Sequence, residues 1–151
     1  MRVAIGSDHT GYQLKSLIIE WLGERNLECH DVGPHSFDPD DDYPDFAVAV
    51  ANSVAARDCD LGIIICATGI GSCIAANKVN GIRCALCHDT FSARFSRLHN
   101  DANVLCLGAR VIGEGLAREV LEAWLSESFS GDARHQRRLD KVAQLETRTK
   151  D

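Results

Sequence analysis

Five short apolar runs alternate with longer segments along this chain, and several of those segments are apolar on one side. The runs are 2–6, 27–32, 61–66, 82–87 and 103–108. The intervening segments are 12–25, 45–57, 70–79, 89–99 and 113–128, with a further helical tail over 132–148. In 12–25 the apolar positions Leu14, Leu17, Ile18, Trp21 and Leu22 fall on one face of a 3.6-residue period. The run L-G-I-I-I-C at 61–66 is apolar at nearly every position, as a strand buried on both faces must be. Strand and helix in strict alternation predict a parallel sheet covered by helices on both faces. No linker, repeat or low-complexity tract interrupts the pattern, so 1–151 reads as one α/β domain.

Such a sheet binds ligands beyond the carboxyl ends of its strands. The residues placed there are Ser7, Asp8 and His9 after the first strand, Cys66 to Gly71 after the third, and Gly108 and Arg110 after the fifth. The third group reads C-A-T-G-I-G. Gly69 and Gly71 let backbone approach a ligand closely, and amides at a helix start are unpaired donors that favour an anion. A thiol beside them has its thiolate favoured. Cys66 is therefore either a base or nucleophile beside an oxyanion site, or a buried cysteine in a tight strand–helix turn. A nucleoside-triphosphate loop is excluded, because no lysine follows Gly71. A thiol-phosphatase C-x5-R is excluded too, since Ser72 stands where the arginine would be.

Other candidates have equally plain alternatives. Asp8 and His9 either bind sugar hydroxyls or a phosphate, or Asp8 or Thr10 caps a helix. His99 either moves protons near neutral pH or ends a helix with Asn100 as terminator. Arg134 and Arg138, four apart, either grip a phosphate or form a solvated basic face. The acidic run D-P-D-D-D-Y-P-D at 38–45 lacks the spacing of a calcium loop and reads as a solvated loop, with Tyr43 turned toward a ligand.

Composition narrows the class. A net charge of −6 argues against a nucleic-acid surface. No apolar stretch reaches membrane-spanning length, and the N-terminus reads as a strand instead of a signal peptide. The seven cysteines, an odd number, predict reduced thiols in a soluble, cytoplasmic protein. Cys84 and Cys87 form a C-x-x-C, but within a strand they point to opposite faces. With no second such pair, no structural zinc is expected.

In order, the chain carries D-H-x-G, D-Y-P-D, C-x-T-G-x-G, I-A-A-N-K, G-I-R, R-x-H-N-D-x-N, G-x-R-V-x-G and R-H-Q-x-R between residues 8 and 138. Together these resemble the ribose/galactose isomerase family, in its ribose-5-phosphate isomerase B branch. The resemblance implies a three-layer, Rossmann-like α/β/α fold with a five-stranded parallel sheet. It implies a homodimer, or a tetramer, with active sites shared between subunits. It also implies interconversion of an aldose and a ketose phosphate through a cis-enediol, with no cofactor and no metal.

Carried onto this chain, the resemblance makes Cys66 the proton-transferring base and Thr68 its helper at the substrate oxygens. His99 becomes the ring-opening acid/base, with Asp8 near it. Backbone from Ala67 through Gly69 and Ile70 to Gly71 would face the enediolate. His9, Arg110, Arg134 and Arg138 would hold the phosphate and sugar, and Tyr43 and Asn100 the sugar. Two departures bear on which sugar is taken. Ala67 stands where the family often has glycine, and the loop at 35–42 is unusually acidic. An isomerase of another sugar phosphate, and a non-catalytic phosphosugar-binding subunit, are the rival readings.

Overall fold

The computed structural model describes residues 1–147, so the last position of the expected tail, 148, lies outside the described residues. Five strands form one sheet: β1 (Arg2–Ser7), β2 (Glu28–Asp31), β3 (Leu61–Cys66), β4 (Cys84–Leu86) and β5 (Val104–Gly108). Their order is β2-β1-β3-β5-β4, and every pairing is parallel. The helices are α1 (Tyr12–Glu24), α2 (Tyr43–Ala55), α3 (Ile70–Ala76), α4 (Thr90–Asn100), α5 (Glu114–Leu125) and α6 (Ala133–Glu146). No helix among the described residues is long and apolar enough to cross a membrane.

The strands are buried on both faces, and successive side chains feed different cores. Val3, Ile5, Ile63, Ile65, Leu105 and Leu107 pack with Leu14, Ile18, Leu121 and Trp124 of α1 and α5. Ala4, Ile64, Val104 and Cys106 pack with Val50, Ala51 and Ala76 of α2 and α3. This two-residue alternation produces the three layers. It also separates Cys87, in the first core, from Cys84, which packs against the second. The expected C-x-x-C geometry is thus what the sheet gives.

Two details depart from the sequence reading. Helix α2 begins at Tyr43, two residues early, because Pro44 sits at its first turn, where a missing N–H costs nothing. In α1, Lys15 is buried with the apolar face, only 2% exposed. Its Nζ donates to both oxygens of Asp31, at 2.7 and 2.8 Å, and to the Pro34 carbonyl, at 2.7 Å. One side chain thus fixes the entry to the acidic loop. Lys15→Met leaves a largely buried carboxylate without its cation. It should lower unfolding free energy by about 3 kcal/mol, read as a shift of the urea midpoint.

Candidate active site

The order of β2, β1 and β3 makes the chain reverse direction across the sheet after β2, which opens a crevice above the carboxyl ends of β1 and β3. Backbone hydrogen bonds lace the three post-strand loops together there. Asp8 N donates to Ile65 O (3.2 Å), Ala109 N to Cys66 O (2.9 Å), and Arg110 N to Ala67 O (2.9 Å). The placement of Asp8, His9, Cys66 to Gly71, Gly108 and Arg110 at one edge is as the alternation predicts.

Cys66 ends β3 and is 5% exposed. Its Sγ accepts the Gly69 amide at 3.2 Å, and Thr68 Oγ1 accepts the Ile70 amide at 3.3 Å. Two of the loop amides are therefore taken up by side chains of the loop itself. Among the described residues, those of Ala67, Thr68 and Gly71 have no protein acceptor and remain free to face an anion. Gly69 holds φ +77, where a side chain is strained, and a β-carbon there would run into Leu86. Gly71 lies under the ring of Tyr43. A β-carbon on it would stand 2.6 Å from Tyr43 Cζ, so the ring covers this loop.

The first-strand pair divides its roles. Asp8 is buried, and its Oδ1 accepts from Thr10 N (2.9 Å), Thr10 Oγ1 (2.5 Å) and Gly11 N (3.2 Å). That is the capping geometry, around a single turn at His9–Gly11. His9 is held from the acidic loop. Asp41 Oδ1 accepts its backbone N–H at 3.0 Å and lies 2.7 Å from its Nδ1. The Asp41 side chain is only 8% exposed, so this member of the run is a structural anchor and not a solvated carboxylate. A carboxylate on Nδ1 fixes the ring orientation and directs Nε2 outward.

Sequence reasoning missed Asp41, because nothing distinguishes it from Asp40 and Asp42 along the chain. It also missed His88, just after β4. The His88 Nε2 is buried without a partner among the described residues and packs against Gly108 beside the Thr68 carbonyl.

The remaining candidates lie elsewhere. Arg83, before β4, donates from Nε to the Asn100 carbonyl at 3.1 Å. Asn103 O accepts from Gly62 N, at the start of β3. The carboxyl end of α4 is therefore at the amino ends of the strands. Cys66 is at the other end, about 16 Å away along a six-residue strand. His99 stacks on His135 of α6, with centroids 4.1 Å apart and planes 13° apart. Arg134 and Arg138, on that helix, are exposed to solvent. Within one chain, then, His99, Asn100, Arg134 and Arg138 form a second group, and His99 is not near Asp8. Among the described residues, no cluster of three His, Cys, Asp or Glu side chains is arranged for a metal ion.

His135 is itself buried, and desolvation, with smaller contributions from His99 and Arg134, holds it below its ordinary value. The fold keeps it neutral while the unfolded chain takes up the proton. The stability it gives is full above about pH 6.5 and drains away as pH falls below that. Melting temperatures between about pH 5 and 8 should therefore drop on the acid side. They should drop less in His135→Phe, which keeps a ring against His99 but cannot titrate.

A model of the ribose/galactose isomerase family matches residues 3–142. The chain belongs to that family. It is 45% identical to ribose-5-phosphate isomerase B of Escherichia coli over 97% of both chains. The solved structure of ribose-5-phosphate isomerase B of Clostridium thermocellum superposes with a TM-score of 0.94 at 49% identity, covering 97% of each chain. The Mycoplasma genitalium enzyme of the same name, solved with bound ribulose 5-phosphate, superposes at 0.93 with 45% identity. That match covers 98% of this chain and 97% of the other. The three-layer parallel fold expected of this family is the one this chain adopts.

Proposed function

We infer that this chain is an aldose–ketose isomerase that interconverts ribose 5-phosphate and ribulose 5-phosphate. The observation that carries this reading is the Cys66 thiol, set at the end of β3 beside a loop with three amides that have no partner among the described residues. Isomerisation needs a base at the carbon next to a carbonyl and a site for the oxyanion that results. Cys66, as thiolate, removes the C2 proton of the open-chain aldose. The electron pair moves toward C1 and leaves a cis-enediolate with its charge on O1. Amides of Ala67, Thr68 and Gly71 face that charge, and Thr68 Oγ1 relays a proton between O1 and O2. Return of the proton from Cys66 to C1 completes the ketose.

His9 Nε2 and Arg110 hold the phosphate, and Asp41 keeps His9 aimed. Asp8 acts mainly by fixing the turn that presents His9. Tyr43 covers the sugar.

We assign the second group to a neighbouring copy. In a two-fold homodimer, the amino end of one sheet can meet the carboxyl end of the other. The partner subunit's His99 then opens the sugar ring, the partner's Asn100 contacts the sugar, and Arg134 and Arg138 of the partner subunit close on the phosphate. Exposed apolar side chains at the crevice rim support this contact: Ile70 is 54%, Ile74 57% and Val111 52% exposed. Seven free thiols support a reducing, cytoplasmic setting.

The test is ketose formation from ribose 5-phosphate by the purified protein, with a chelator present. Galactose, allose and erythrose phosphates are assayed alongside. Fast turnover of ribose 5-phosphate is expected. Turnover confined to another sugar moves the substrate, and none at all makes the chain a phosphosugar-binding subunit.

A further inference from the structure

Three thiols meet beneath the loop that carries Cys66, and the proposed reaction uses none of them. Cys73 is on α3, Cys84 opens β4, and Cys106 is in β5 beside it. All three side chains pack into one core, between the sheet and α3. Asn77 clamps the group. Its Nδ2 donates to the Cys84 carbonyl at 2.9 Å and lies 3.5 Å from Cys73 Sγ, and its Oδ1 accepts the Cys84 amide at 2.8 Å. The Cys73 thiol itself donates to the Cys84 carbonyl at 3.4 Å. These contacts fix the pair in register across two elements.

The two sulfurs differ chemically. Contact with the Cys84 thiol, helped by the Leu86 backbone and Asn77, brings Cys73 down to about 7, while hydrogen bonding to Cys106 and Cys73 together with burial drives Cys84 upward. Cys73 is thus the more acidic of the two, and Cys84 stays protonated beside it, as befits an attacking and a resolving thiol. A cavity of about 280 Å3, lined in part by Asn77, Cys84, Ser96, Asn100 and Leu139, opens on the Cys84 side of the pair, and Cys73 itself is only partly buried. The cluster also touches the catalytic loop, because Cys106 Sγ donates to the Gly69 carbonyl at 3.0 Å.

We propose that Cys73 and Cys84 form a reversible disulfide in the presence of a peroxide, and that this bond slows the enzyme by shifting the loop from Cys66 to Gly71. The Cys73 thiolate attacks one oxygen of hydrogen peroxide. An S–O bond forms, the O–O bond breaks, and hydroxide leaves to become water. Cys84, giving up its proton, attacks the sulfenic sulfur, the S–S bond forms, and the oxygen departs as a second water. Two electrons pass from the thiols to the peroxide. The new bond ties the middle of the seven-residue α3 to β4 and draws the Cys84 sulfur away from Cys106. The Gly69 carbonyl then loses its fixed support.

The effect on turnover rests on the isomerase reading; the bond itself does not. The wild-type protein is treated with equimolar hydrogen peroxide and digested without reduction. Two of seven thiols should disappear, a peptide pair joining Cys73 to Cys84 should appear, and dithiothreitol should reverse both. Hydrogen exchange at the Ala67–Gly71 amides should rise, and kcat should fall about tenfold, as when one oxyanion donor is partly misplaced. Cys73→Ala and Cys84→Ala should keep their turnover before treatment and show no reversible loss after it. Recovery of Cys73 and Cys84 as free thiols with only Cys66 oxidised overturns the proposal. So does a disulfide that leaves loop exchange unchanged. A reduced protein that turns over no sugar phosphate would instead refute the isomerase reading, and the cross-link and exchange data would still decide the thiol pair.

Discussion

Cys66→Ala should lose about a thousandfold in kcat while still binding ribulose 5-phosphate. The side chain is small and nearly buried, so its removal leaves the phosphate contacts in place. What disappears is the group proposed to move the proton between C1 and C2. The Gly69 amide that now donates to sulfur would be freed, which adds a donor to the loop and keeps ground-state affinity from falling. Loss of kcat at unchanged dissociation constant is the mark of a group acting in the transition state. Turnover retained within a few-fold would remove Cys66 from the chemistry and leave the free amides as the main catalytic feature.

Mixing two inactive proteins should restore activity. Cys66→Ala damages one end of the sheet and His99→Ala the other. If each site combines the Cys66 loop of one copy with His99 of its neighbour, a mixed dimer holds one site with both damaged halves and one with neither. Random reassociation makes about half of the dimers mixed, so roughly a quarter of wild-type sites return. Each variant alone stays inactive. The roughly 16 Å of sheet between Cys66 and Asn100 is the reason to expect this. Failure of well-folded mixed dimers to regain turnover would show that His99 works outside the site or not at all.

Much of the architecture was open to view in the chain. The near-continuous apolar run at 61–66 and the one-sided apolar pattern of 12–25 are direct consequences of burial on two faces and on one. The loop at 66–71 was visible because glycine at Gly69 and Gly71 is demanded by geometry: one sits at positive φ and the other lies beneath an aromatic ring. Lys15 was not visible. A lysine inside an apolar face reads as an edge residue until its carboxylate is found sixteen positions away. Asp41 was hidden among identical neighbours for the same reason. The thiol cluster, drawn from α3, β4 and β5, has no signature in spacing at all, and the visible C-x-x-C is divided between the two cores.

The sequence by itself determined the periodicities, hence the parallel three-layer sheet, and the edge where its loops gather. Those are local properties, written in side-chain alternation and in backbone freedom at glycine. Only the tertiary structure decided which loop amides remain free, which aspartate aims His9, and that His99, Asn100, Arg134 and Arg138 stand at the far end from Cys66. These depend on distances between residues remote in the chain. Such distances are set by strand order and by the direction each helix takes back across the sheet.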